Sequence, residues 1–140
     1  RYQRDIRLES VPNALEQARA EASWLVGKPR PNQSVPWFWS DQYDLKLQMA
    51  GLSQGHDRCV LRGSPDSRSF CAFYLRGHTL LAVDAVNRPA EFMAVRRALA
   101  SASEVDAGAL ADEAVPLKDV LGAAGSSAGN HRPAASPATP

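Results

Sequence analysis

Long apolar runs are missing from this 140-residue chain; none approaches the ~20 residues that would cross a bilayer. A surplus of either charge is missing too. Sixteen Lys and Arg stand against fifteen Asp and Glu, and the formal net charge of +1 gives no footprint for nucleic acid and no acidic tail. Cysteine is scarce: Cys59 and Cys71 form no CxxC, and His56, His78 and His131 are scattered, so no metal site is indicated. No GxGxxG follows a strand, no GxxxxGK[ST] or GxSxG occurs, and acidic residues do not gather around a histidine. Free-standing catalytic machinery is therefore not visible, and no catalytic residue is assigned. There is also no signal peptide. The start Arg1-Tyr2-Gln3-Arg4-Asp5 has neither Met nor an apolar segment, as expected for a piece of a longer, cytoplasmic protein.

What is present suits one ordinary soluble domain. Hydrophobic residues make up 44% and charged ones 22%, and the length allows a core. The chain is organised around Val35 to Leu52. Here two of the three tryptophans, Trp37 and Trp39, sit beside Pro36 and lead into a polar/apolar alternation. Leu45, Leu47 and Met49 point one way, Lys46 and Gln48 the other, which is the pattern of a half-buried strand. Large rings where a strand enters its sheet either cap a core or face a flat ligand or a partner protein. Residue pattern alone favours the core cap.

Upstream, Ile6-Arg7-Leu8 alternates and reads as a short strand. Ser10 is an N-cap for a helix that tolerates Pro12 in its first turn and stops at Gly27. Ala14, Leu15, Ala18, Ala22, Leu25 and Val26 form its apolar face, with Arg19 at the edge and Trp24 opposite. After the central strand come Arg58 to Arg62, a turn at Ser64-Pro65-Asp66, Ser69 to Leu75, a two-residue hairpin turn at Gly77-His78, and Thr79 to Val86. A second helix opens at Asn87-Arg88-Pro89, burying Phe92, Val95 and Leu99 and leaving Arg88, Arg96 and Arg97 outside. Two short helical pieces follow, Ala107 to Leu110 and Leu117 to Leu121. From Gly122 the composition becomes Gly, Ala, Ser and Pro, a tail expected to be disordered. Cys59 and Cys71 lie on neighbouring strands and could face each other across a hairpin. Without a secretory signal, reduced and buried thiols are the preferred reading over a disulfide. The layout is α+β: an antiparallel β meander with helices packed on one face.

Four segments resemble the C-terminal part of bacterial FAD-dependent NADH:ferredoxin reductases, in the branch of the putidaredoxin, rubredoxin and biphenyl-dioxygenase ferredoxin reductases. They are Arg7-Leu8-Glu9-Ser10-Val11-Pro12-Asn13-Ala14-Leu15-Glu16-Gln17-Ala18, Pro36-Trp37-Phe38-Trp39-Ser40-Asp41-Gln42, Phe73-Tyr74-Leu75, and Ala82-Val83-Asp84-Ala85-Val86-Asn87-Arg88-Pro89. The likeness runs from about residue 4 to 121 and includes Val115-Pro116-Leu117-Lys118. It implies a three-domain flavoenzyme whose FAD- and NADH-binding domains lie upstream. Residues 1–27 would be the last strand and helix of the FAD domain, 28–34 a linker, 35–121 the C-terminal α+β domain and 122–140 the tail. With the FAD domain removed, the first helix would expose its apolar face.

The resemblance also implies the site. The helix start at Val11, with Pro12 and Asn13, would aim at the flavin edge that gains negative charge on reduction, and unpaired amides there would stabilise it. Residue pattern alone reads the same start as an ordinary helix cap. Trp37 would pack on the flavin side and Trp39 would meet the partner, a [2Fe–2S] ferredoxin serving a P450 or a dioxygenase. Arg19, Arg96 and Lys118 would supply docking cations; Gln48 stands where relatives carry lysine. In the intact enzyme NADH would reduce FAD, and this part, inactive alone, would close the flavin pocket and present the docking surface. A stand-alone interaction domain of the same fold is the alternative. Neither nucleic acid nor membrane is an expected partner.

Overall fold

Turn chemistry sets the sheet. Gly77, at φ +58°, reverses the chain between β4 (Ser69–Arg76) and β5 (Thr79–Val86), a left-handed position that glycine takes without a Cβ clash. A single 3₁₀ turn, Pro65–Ser67, joins β4 to β3 (Arg58–Ser64). A third reversal, at Tyr43-Asp44, joins β1 (Trp37–Gln42) to β2 (Leu45–Gly51). The computed structural model describes residue 2 and residues 5–123. The five strands lie in the order β1-β2-β5-β4-β3, every neighbouring pair antiparallel. Helix α1 (Val11–Leu25) precedes them; α2 (Pro89–Ala100), α3 (Ala107–Ala111) and α4 (Leu117–Ala123) follow.

The register sorts residues onto two faces. One row runs across the whole sheet as Trp39, Gln48, Ala85, Cys71 and Arg62. On that side α2 lays Phe92, Val95 and Leu99 against Phe73, Val83 and Ala85, and Leu110, Leu117 and Val120 complete the core. Each large side chain fully buried there contributes about 1.5–3 kcal/mol. The adjoining row, Phe38, Met49, Asp84, Ala72 and Leu61, belongs to the opposite face, which the helices leave open. The architecture is thus the α+β arrangement expected, with helices on one face. No helix among the described residues is long and apolar enough to cross a membrane.

Several local expectations are corrected. Ile6-Arg7-Leu8 forms no strand, because alternation needs a neighbouring strand to pair with and the five-stranded sheet supplies none. The tryptophans do not merely precede the central strand; they form their own edge strand. Leu47 and Met49 share a face as expected, but it is the open one, and the helices pack over Gln48 and Ala50. The apolar face of α1, by contrast, is exposed as expected: Leu15 is 53% and Leu25 89% accessible, and Pro12 is the only buried residue of that helix. Arg88 is not a free surface group, since it bonds Ser69, Glu91 and Glu113.

The cysteines do lie on paired strands, but Cys59 sits opposite Tyr74 and Cys71 opposite Arg62, so their side chains leave the sheet on different sides. Both are free; only Cys71 is buried. Burial pushes the Cys71 thiol pKa up, and its hydrogen bond to Glu91 adds to this. The tail of 124–140 and His131 lie outside the described residues.

Candidate functional site

The start of α1 shows how the site is built. The Ser10 hydroxyl accepts from the Asn13 N–H at 3.3 Å, and the Ser10 carbonyl accepts from Ala14 N at 3.0 Å. Pro12 has no N–H. Among the described residues this leaves the Val11 N–H as the unpaired donor of the first turn. The Asn13 side chain donates to the Leu8 carbonyl at 2.9 Å, pinning the end of the irregular Ile6–Leu8 segment beside the helix start. Asn13 is thereby committed to shaping the site, and Val11 carries its main-chain donor.

Edge strand β1 faces this turn. Trp37 packs on Phe92 with ring centroids 6.2 Å apart, and Trp39 stacks on Trp37 at 5.3 Å with 29° between planes. From the core outward the order is Phe92, Trp37, Trp39. Two residues apart on one strand, the indoles share a face. Arg96, one turn beyond Phe92 on α2, places its guanidinium 4.4 Å from the Trp37 ring centroid. Such a cation–π contact is worth about 0.5–2 kcal/mol, more as it is desolvated. Trp37 packs against the core cluster, as the core-cap reading expects, and also lines the open cavity.

Val11, Pro12, Asn13, Arg19, Trp37, Trp39 and Arg96 all line one cavity of about 840 Å³, a volume suited to a cofactor-sized ligand. Seven of the eight residues singled out from sequence meet there. Lys118 does not: it is exposed on α4, which packs against α2. Arg96, assigned to the solvent side of its helix, is half-buried against Trp37 instead. Arg19 forms a 2.6 Å ion pair with Glu16, and Asp5 and Glu16 share the cavity wall with the two arginines. The cations are therefore partly offset rather than an unopposed patch. Sequence reasoning missed Leu15 and Pro36 as lining residues. The signal was available: Leu15 is one helical turn past Val11 and Arg19 one more, so all three share a face.

Residues 37–121 match the family described as reductase C-terminal. Putidaredoxin reductase CamA of Pseudomonas putida is 50% identical over 123 residues, which is 88% of this chain and 29% of that protein. Rhodocoxin reductase of Rhodococcus erythropolis is 49% identical over 113 residues, 81% of this chain and 26% of the relative. Among solved structures, the covalent putidaredoxin reductase–putidaredoxin complex superposes with a TM-score of 0.83 at 50% identity, covering 89% of this chain and 30% of that one. The ferredoxin reductase for the CYP199A2 system of Rhodopseudomonas palustris gives 0.77 at 42% identity, covering 83% and 29%. The chain spans less than a third of the length of these relatives. With its sheet, its helices and the span of the match in agreement, the chain belongs to the reductase C-terminal family.

Proposed function

We propose that this chain is the flavin-closing and partner-docking part of a FAD-dependent NADH:ferredoxin reductase. The observation that carries the reading is the meeting of the Val11 N–H, the Trp37–Trp39 stack and Arg96 around one cavity. Aromatic walls and an unpaired amide at a helix start suit a flat conjugated ring whose edge becomes negative. Bound FAD would supply the exchange between the hydride of NADH and the single electrons a [2Fe–2S] ferredoxin accepts.

This chain's residues bind and orient. The Val11 N–H donates to the flavin edge, and the helix terminus favours negative charge there by about 0.3–1 kcal/mol, rising to ~2 when partly buried. Trp37, braced by Phe92 and Arg96, packs on the flavin side. Trp39, outermost of the stack, meets the ferredoxin, and Arg19, Arg96 and Lys118 offer it cations. The solved relative covalently joined to putidaredoxin supports such a partner by likeness. In this reading residues 1–27 complete a FAD domain whose surface covers the bare face of α1, 28–34 link, and 35–121 form the docking domain. The site is assembled from two domains of one protein.

The test is to join the chain to upstream FAD- and NADH-binding domains and look for a flavin absorption band with NADH-driven ferredoxin reduction. In that protein Trp39→Ala slows ferredoxin reduction while NADH–ferricyanide turnover stays near the parent value. Equal loss of both moves Trp39 to flavin binding, and a joined protein that holds no flavin overturns the reading. The chain alone, given FAD and NADH, reduces no ferricyanide.

A further inference from the structure

Arg62 is the one charged residue in the buried set among the described residues, 4% accessible, and it stands at the far end of the sheet row that begins with Trp39. Its guanidinium reaches out of the sheet and grips backbone. Nη1 donates to the carbonyls of Leu110 at 3.2 Å and Asp112 at 2.7 Å, Nη2 donates to the carbonyl of Val115 at 2.8 Å, and Nε approaches Glu91 Oε1 at 3.4 Å. These carbonyls lie at the end of α3 and in the irregular link to α4, where helix geometry leaves acceptors over. Glu91, in the first turn of α2, also takes a hydrogen bond from Arg88, which reaches on to Glu113 in the same link at 2.8 Å. One planar fork therefore ties the first turn of α2 to the residues just ahead of α4. Arg96 stands on the first of those helices and Lys118 on the second.

We propose that Arg62 is a positioning residue for partner docking: by holding the 110–115 link to Glu91 it fixes the spacing between Arg96 and Lys118 on the surface an acidic ferredoxin meets. The proposal rests on the docking reading above. An apolar side chain in its place would leave these three carbonyls and Glu91 without this donor, at a cost in stability. A fork bonded to three carbonyls at set distances also selects one path for the link, which apolar contact at Leu117 and Val120 does not do.

The experiment uses the flavin-loaded protein joined to its upstream domains and compares Arg62→Met, Lys118→Gln and the double variant. Arg62→Met is expected to raise the ferredoxin KM about threefold, the scale of a mispositioned surface charge, with kcat for ferricyanide unchanged. If Arg62 acts through Lys118, the double variant is no worse than Lys118→Gln alone. Additive losses, or an unchanged ferredoxin KM in Arg62→Met, overturn the proposal and leave the docking reading standing. No effect of Lys118→Gln removes the docking role of Lys118 and the proposal with it. Should Arg62→Met fail to fold, Arg62→Lys, which keeps charge but loses the planar fork, carries the same comparison.

Discussion

Helices α1 and α2 are both amphipathic, yet they meet opposite fates. α2 buries Phe92, Val95 and Leu99 against the sheet; α1, three residues longer, buries only Pro12 and leaves Val11, Leu15, Trp24 and Leu25 more than half exposed. An apolar stripe promises a partner surface but does not say which segment provides it. For α2 the sheet is at hand. α1 is held by its cap, by Asn13 on the Leu8 carbonyl and by a narrow contact with β1. The well-packed part of the chain and the part whose apolar stripe stays bare can thus be told apart by burial alone.

Substitutions can break or sharpen that contrast. Phe92→Ala removes the ring under Trp37 and is expected to cost about 3–5 kcal/mol, read as a lower denaturant midpoint, with the indole fluorescence of the stack altered as well. Ser10→Ala deletes the cap and costs α1 about 1 kcal/mol; amide exchange should quicken in Val11–Leu25 while the strands keep their protection.

Asp84→Asn probes the open face. Burial raises the Asp84 carboxyl pKa although the Tyr74 hydroxyl, 2.8 Å away, favours its ionised form; burial and that same bond push the Tyr74 pKa up to about 12. A carboxyl whose folded pKa is raised contributes stability at low pH and loses it as pH climbs through the folded value. Asp84→Asn should therefore stabilise the chain at neutral pH, with the gain fading as pH falls toward about 4, the ordinary carboxylate range. Smallest of all, Leu15→Ala should shift the stability of this chain by no more than about 0.5 kcal/mol. The same change in a protein with the FAD domain attached should cost clearly more; equal effects in both would mean that nothing covers α1.

Much of this arrangement was readable from the residues, because β3 to β5, α2 and both short helices carry turn glycine, proline and clean spacing. The reversal at Tyr43-Asp44 was not readable. It contains no glycine or asparagine, and Tyr43 adopts φ +56° all the same, so WFWSDQ looked like an approach to a strand rather than a strand. The face of β2 was misjudged for a different reason. Both sides of the sheet carry apolar residues, and alternation separates two faces without saying where helices will land. The lone strand at Ile6–Leu8 failed because pairing is a property of neighbours. At the site, Val11, Trp37 and Trp39 followed from family likeness, but Arg96 over an indole and the Arg62 fork depend on tertiary contacts between residues 29 to 59 positions apart, which no local pattern encodes.

Cys59 and Cys71, leaving the sheet on opposite sides, give the chain a built-in experimental handle. A maleimide dye or nitroxide would find Cys59 in the open and pass over Cys71, whose thiol is enclosed and hydrogen-bonded to Glu91. The attached reporter would stand on the side of the sheet away from the cavity. Approach of the ferredoxin proposed to dock on the tryptophan side could then be measured as a distance through the sheet, with the proposed contact surface itself left unmodified.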